Sequence, residues 1–129
     1  MRPSATRRAF RYATTGLSAE VAFTAICGGQ WHLPGHTQLW LVPVYALGGL
    51  LGYEPLKRAL ANQSRWARCL AYGGFVVFSE WASGELLKCL LGACPWAYDS
   101  EQHVVLIGDT ANPAYLPFWG AMLLAAEQL

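Results

Sequence analysis

Charge is scarce in this chain. Only 13% of its 129 residues are Asp, Glu, Lys or Arg, where soluble domains carry roughly 25%. The hydrophobic share is 54% and the mean hydropathy +0.25. A chain this short has too little interior to hide so much apolar surface from water, so lipid is the solvent that fits. A basic stripe with interleaved aromatics is missing, which argues against a nucleic-acid partner. Also missing are a phosphate-binding glycine loop, a dinucleotide glycine fingerprint, a GxSxG elbow and an HExxH zinc helix. Those absences argue against nucleotide hydrolysis and against an enzyme with a local signature. Catalysis by carboxylates that meet only in space stays open.

What is present is four apolar runs, from about Phe10 to Gly29, Gln38 to Leu60, Trp66 to Leu91 and Pro113 to Leu129. A helix needs ~20 residues to cross ~30 Å of hydrocarbon; the first three runs approach or exceed that, and the fourth is at the lower limit. Period-2 alternation suited to a barrel is absent, so helix is the form that satisfies the backbone in lipid. The expected fold is all-α: one integral membrane four-helix bundle over residues 1–129. The basic start, Met1 to Arg11, also fits the head of a cleaved signal peptide. Glu20 would interrupt its apolar stretch, however, and the later runs are equally apolar.

The cations are sorted. Arg2, Arg7, Arg8 and Arg11 precede the first run, and Lys57, Arg58, Arg65 and Arg68 lie around the turn between the second and third. The loops Gln30–Thr37 and Gly92–Asn112 hold none, and the second of these carries Asp99, Glu101 and Asp109. Lys88 is the one cation near the far side. By the positive-inside rule both termini and the 57–68 turn are cytoplasmic, giving a multi-pass membrane protein (plasma or inner membrane in a bacterium). Trp31, Trp40, Trp66, Trp96, Tyr98 and Trp119 fall mostly near run ends, where amphipathic rings settle at headgroup level. Gly48, Gly49 and Gly52, and more loosely Gly73, Gly74 and Gly84, offer faces where helices can approach closely.

Each run carries at least one glutamate. Glu20 lies nine residues past Arg11 and Glu80 twelve past Arg68, so both are expected deep in the bilayer; Glu54 and Glu127 fall at the cytoplasmic ends. Glu85 and Lys88 share a helix face and are expected to pair. A carboxylate in hydrocarbon is costly and usually kept for a task. For Glu20 and Glu80 three readings stand: helix cross-linking, a proton or cation path, or a shared metal. The metal reading is weakened because His32, His36 and His103 all lie outside the runs. No cofactor is expected. If the bundle closes, Glu54 and Glu127 could meet at its inner mouth beneath Glu20 and Glu80. Cys27, Cys89 and Cys94 map outside and Cys69 inside. A Cys27–Cys94 or Cys89–Cys94 disulfide is chemically allowed on an oxidising side, with free thiols the default. The long outer loop begins with the rigid aromatic stretch containing Trp96 and Tyr98, and Val104 to Ile107 could lie back on the bundle; such a loop can cap a site.

Several stretches together resemble the transmembrane protein 229 family. They are Glu20 to Ala25, Trp31 to Thr37, Trp40, Tyr45 and Cys94 to Ser100, joined by Glu54, Arg68-Cys69-Leu70, Glu80, Gly84, Phe118-Trp119-Gly120 and Glu127. That group sits with small bacterial membrane proteins carried under the name type IV ABC-transporter permease. The resemblance covers nearly the whole chain and implies a four-helix integral membrane protein with in-membrane acids at Glu20, Glu54, Glu80 and Glu127. His32 and His36 depart from the pattern. The expected function is a small transporter-type or permease-like component, self-associating or a subunit of a larger membrane complex. The alternatives are a structural or lipid-interacting membrane protein and an intramembrane enzyme acting on lipid through the glutamates.

Overall fold

A computed structural model of the chain describes residues 2–28, 37–94, 107–108 and 110–128, the side chains of 24, 26–28 and 37–40 apart. The all-α expectation holds for these residues. Helix α1 spans Ala5–Gly28 and α2 spans Thr37–Leu47; the same path then continues as a π-helical turn, Gly48–Tyr53, and as α3, Glu54–Ala59. Helix α4 spans Arg65–Leu91, and a 3-10 turn at Pro113–Tyr115 leads into α5, Leu116–Ala126. Helix α1 begins at Ala5, ahead of the first apolar run at Phe10, and α4 begins at Arg65, beside the start of the third. The chain divides into two compact units, Met1–Pro55 and Leu56–Leu129, each a helical hairpin.

Among the described residues no helix is long and apolar enough to cross a membrane. The reason is visible in the sequence of each. Helix α1 includes Arg7, Arg8, Arg11 and Glu20, and α4 includes Arg65, Arg68, Glu80, Glu85 and Lys88. Helices α2 and α5 have 11 residues each.

Local chemistry sets the helix ends. Ser64 caps α4: its backbone is extended and its side chain accepts from the Ala67 N–H at 3.2 Å. Ser4 Oγ accepts from the Arg7 N–H at 3.3 Å in the same way ahead of α1, satisfying a donor that has no intrahelical partner. Gly92 closes α4 at φ 79°, a left-handed position natural to glycine, and donates its N–H to the Lys88 carbonyl at 2.8 Å. Pro43 lies within α2 and supplies no N–H to the ladder. The π turn is defined by the Glu54 N–H, which donates to Gly49 O five residues back, one more than an α-helix uses. It therefore holds one residue beyond α-helical register.

The two hairpins pack by different means. In the first, a Cβ on Gly16 would overlap the Tyr45 ring and one on Gly49 the Tyr12 ring, so each glycine is a notch for a tyrosine. Tyr12 then meets Tyr53 edge to face, with ring centroids 5.9 Å apart. Of the expected glycine face, Gly49 makes a close approach while a Cβ on Gly48 would meet open space. In the second hairpin the backbones themselves touch. A Cβ on Gly73 would strike the Leu116 carbonyl, and one on Gly120 the Cys69 carbonyl. Gly84 makes room for Thr110, which is buried with Ala111 and Asn112. A turn through Gly108 (φ 61°) and the Ile107–Ala111 bridge bring the chain to this point. The Asn112 side chain then accepts from the Ala114 N–H at 3.0 Å, starting the 3-10 turn.

Candidate functional site

In the first hairpin Glu54 stands where the π turn gives way to α3. Its Oε1 accepts from Arg8 Nε at 2.7 Å and from the Tyr12 hydroxyl at 3.1 Å. Arg8 and Tyr12 are four residues apart on α1, so both reach the same side of the helix. Arg8 also donates to the Pro3 carbonyl at 2.8 Å, which holds the guanidinium head in place. Glu20, three turns further along α1, is half-buried, and its Oε2 accepts from the Tyr45 hydroxyl at 2.9 Å. The Gly16 notch seats the Tyr45 ring and so aims that hydroxyl.

The second hairpin repeats the first motif at Glu127, immediately after α5. Its Oε1 accepts from the Tyr72 hydroxyl and its Oε2 pairs with Arg68 at 3.3 Å. Tyr72 is fully buried. Lys57 donates to the Glu127 backbone carbonyl at 3.0 Å, a cation placed on the negative end of α5. Glu80 lies half-buried on α4, and the Ser83 hydroxyl bends back to the carbonyls of Ser79 and Glu80. Glu85 and Lys88 form the expected pair at 3.2 Å.

Chemically, the four acids fall into two kinds. Glu54 and Glu127 each take a guanidinium and a phenol, charge-assisted bonds of the stronger class. They fasten the second helix of a hairpin to its first. Glu20 takes a phenol from the facing helix. It can accept a hydrogen bond as a carboxylate, or hold a proton and still bond to the tyrosine.

Other expected site residues, Trp96 and Tyr98, lie outside the described residues, as do His32, His36 and His103. The Cys27 side chain is likewise not described. Cys69 and Cys89 are free thiols, so the Cys89–Cys94 disulfide is not formed. Among the described residues no group of three or more His, Cys, Asp or Glu side chains is placed to hold a metal ion.

Arg8, Tyr12, Tyr45, Arg68 and Tyr72 are the partners that the reading of the glutamates in the sequence did not single out. A signal existed: an arginine and a tyrosine four apart precede an acid on both α1 and α4. No protein-family model matches this chain, and no solved structure matches it.

Proposed function

We infer that the chain is a small polytopic membrane protein, both of its ends cytoplasmic, working as a transporter-type or permease-like component. Glu20 and Glu80 would serve its polar path. The observation that carries this reading is an inverted polarity. Glu20, Glu54 and Glu127 turn to partners within their own hairpins, while large apolar side chains face outward. Leu51 is 73% exposed, Trp66 81% and Leu90 70%, with Phe10, Leu70, Phe78 and Leu86 in the same state. In water such exposure is a liability; against acyl chains it costs nothing. The sorting of arginine and lysine supports the orientation. In length alone, α1 with 24 residues and α4 with 27 each exceed the ~20 residues that ~30 Å of hydrocarbon requires. Membership of the transmembrane protein 229 family, and assembly with further copies or subunits in the bilayer, belong to the same proposal.

The test is flux. Purified protein in liposomes should conduct protons or a small cation, and Glu20→Gln and Glu80→Gln should reduce that flux. Absent wild-type flux, or flux unchanged by both variants, defeats the transport reading. Recovery of the protein in solution without detergent defeats the membrane reading. A second reading, a structural membrane protein without transport, is favoured by one specific observation: Glu54 and Glu127 each fasten an arginine and a tyrosine of the facing helix. It predicts loss of stability from their substitution and no flux in any variant.

A further inference from the structure

We propose that the chain is an internal duplication of one helical hairpin, with Glu20 and Glu80 the same position in its two copies. Five positions of the first helices are identical at one constant offset. Ser4, Arg8, Tyr12, Glu20 and Ala22 are matched by Ser64, Arg68, Tyr72, Glu80 and Ala82. Identity of sequence is accompanied by identity of role. Ser4 and Ser64 each cap their helix from Oγ, at 3.3 and 3.2 Å. Each also accepts at its carbonyl, at 3.0 Å, from the N–H of the arginine four residues on. That arginine and the tyrosine after it then bind a glutamate on the hairpin's second helical path: Glu54, which opens α3, in one copy and Glu127, just past α5, in the other. Helix packing demands none of this. A helix can be capped by Asp or Asn, and a hairpin can close without a guanidinium, so the shared cap, arginine, tyrosine and clasped acid point to a repeated module.

The second helices share a proline, an aromatic residue two positions on and the clasped acid. Pro43 and Tyr45 precede Glu54 as Pro117 and Trp119 precede Glu127. Tyr45 and Trp119 both present an aromatic ring carrying one polar N–H or O–H. From that ring to the clasped acid the first copy has nine steps and the second has eight. The extra residue lies where the first copy has its π turn, Gly48–Tyr53, and the second has α-helix as far as Ala126, with Glu127 as its C-cap. A π turn absorbs one surplus residue without turning the following helix to a new face. It is therefore the scar of a one-residue difference between the copies, taken up so that the Arg8–Glu54 clasp survives.

This deepens the reading of Glu20 and Glu80 as path residues, and rests on that reading only for what they carry: each copy would contribute one equivalent acid. The test uses the full chain in detergent. Deleting Gly48, whose absent Cβ faces open space, gives the first copy the spacing of the second. The thermal midpoint is expected to stay within about 3 °C of wild type. Deleting Leu123 removes a residue where there is none to spare. It turns Glu127 by ~100° about the helix axis, and the midpoint is expected to fall by about 8 °C or more, or folding to be lost. Equal damage from the two deletions, or harmless loss of Leu123, overturns the duplication. In liposomes E20Q and E80Q are expected to lower flux by the same factor, and a large effect of one with none of the other overturns the equivalence. Absence of flux in wild type overturns only the transport reading, because the two deletions still decide the duplication.

Discussion

The two hairpins share a fastener and differ in how their helices meet. At Glu54 and at Glu127 an arginine and a tyrosine from the first helix grip an acid on the second. Above that point the first hairpin uses glycine as a socket for tyrosine rings, whereas the second lets glycine bring backbone against backbone. A ring can shift in its socket and a carbonyl in a helix cannot. The second hairpin should thus be the more brittle of the two toward any added atom, even though both close with the same chemistry.

The sharpest way to break this contrast is an alanine at Gly120. Its Cβ would meet the Cys69 carbonyl and sulfur, so the helices must move apart, an overpacking cost of about 3 kcal/mol. Gly49→Ala pushes on the Tyr12 ring instead and should cost about 1–2 kcal/mol on the same grounds. Gly74→Ala, which enters open space, should be neutral or stabilise by a few tenths of a kcal/mol through helix propensity. Thermal unfolding of the three variants in detergent ranks them. A Gly49 variant more damaged than the Gly120 variant would reverse the comparison.

Next in size are the fasteners. Glu127→Ala leaves Arg68 and the fully buried Tyr72 hydroxyl without their acceptor, a loss of about 2 kcal/mol for charge-assisted bonds of this kind. Glu54→Ala should cost about as much, because Arg8 and Tyr12 lose the same partner. A double-mutant cycle between Arg68 and Glu127, set beside one between Arg8 and Glu54, should return couplings of one sign and similar size. A coupling near zero in one hairpin only would show that the shared motif does not carry a shared load.

Much of this architecture could be read from the sequence, and the remainder fails to appear for a definite reason. Helix limits were legible because they depend on local chemistry. Ser64 before an apolar run and Gly92 after it are start and stop signals in their own right. The Glu85–Lys88 pair was legible because its members are three positions apart on one helix face. The clasps were legible only on the donor side, in the repeated arginine and tyrosine four apart: Arg8 and Glu54 are 46 positions apart, and Tyr72 and Glu127 are 55 apart, so nothing beside the donors names their acid. The π turn is further still from view. The stretch Gly48–Tyr53 carries no signature of its own, and the surplus residue exists only relative to two fixed points, Tyr45 at Glu20 and Glu54 at Arg8. Reading the acids as one set hid the division between fasteners and Glu20, which depends on what each one touches.

Tyr45→Phe isolates the one bond to Glu20 and keeps the ring in its Gly16 notch. The stability loss should be about 1 kcal/mol, since an uncharged donor is removed and packing is preserved. Gly16→Ala displaces that ring and should exceed it. If both variants lose the same amount, the hydroxyl accounts for the whole effect and the notch serves only to aim it. Either variant should change liposome flux more than stability alone explains, if Glu20 is a path residue.

The smallest effect belongs to a pair outside both clasps. Lys88 and Glu85 meet at 3.2 Å with side chains 30% and 43% exposed, and an exposed pair one turn apart contributes about 0.5 kcal/mol or less. Lys88→Gln should therefore lower the unfolding midpoint barely at all, and raising the salt concentration should erase what difference there is. The contrast with Arg68→Gln is the point of the measurement. Arg68 also makes an ion pair with a glutamate on a helical hairpin, but its partner is largely buried and shared with Tyr72, so its loss should persist in salt. Equal salt sensitivity in the two variants would mean that the Glu127 clasp is an ordinary surface ion pair, and the division of the acids into two kinds would fail with it.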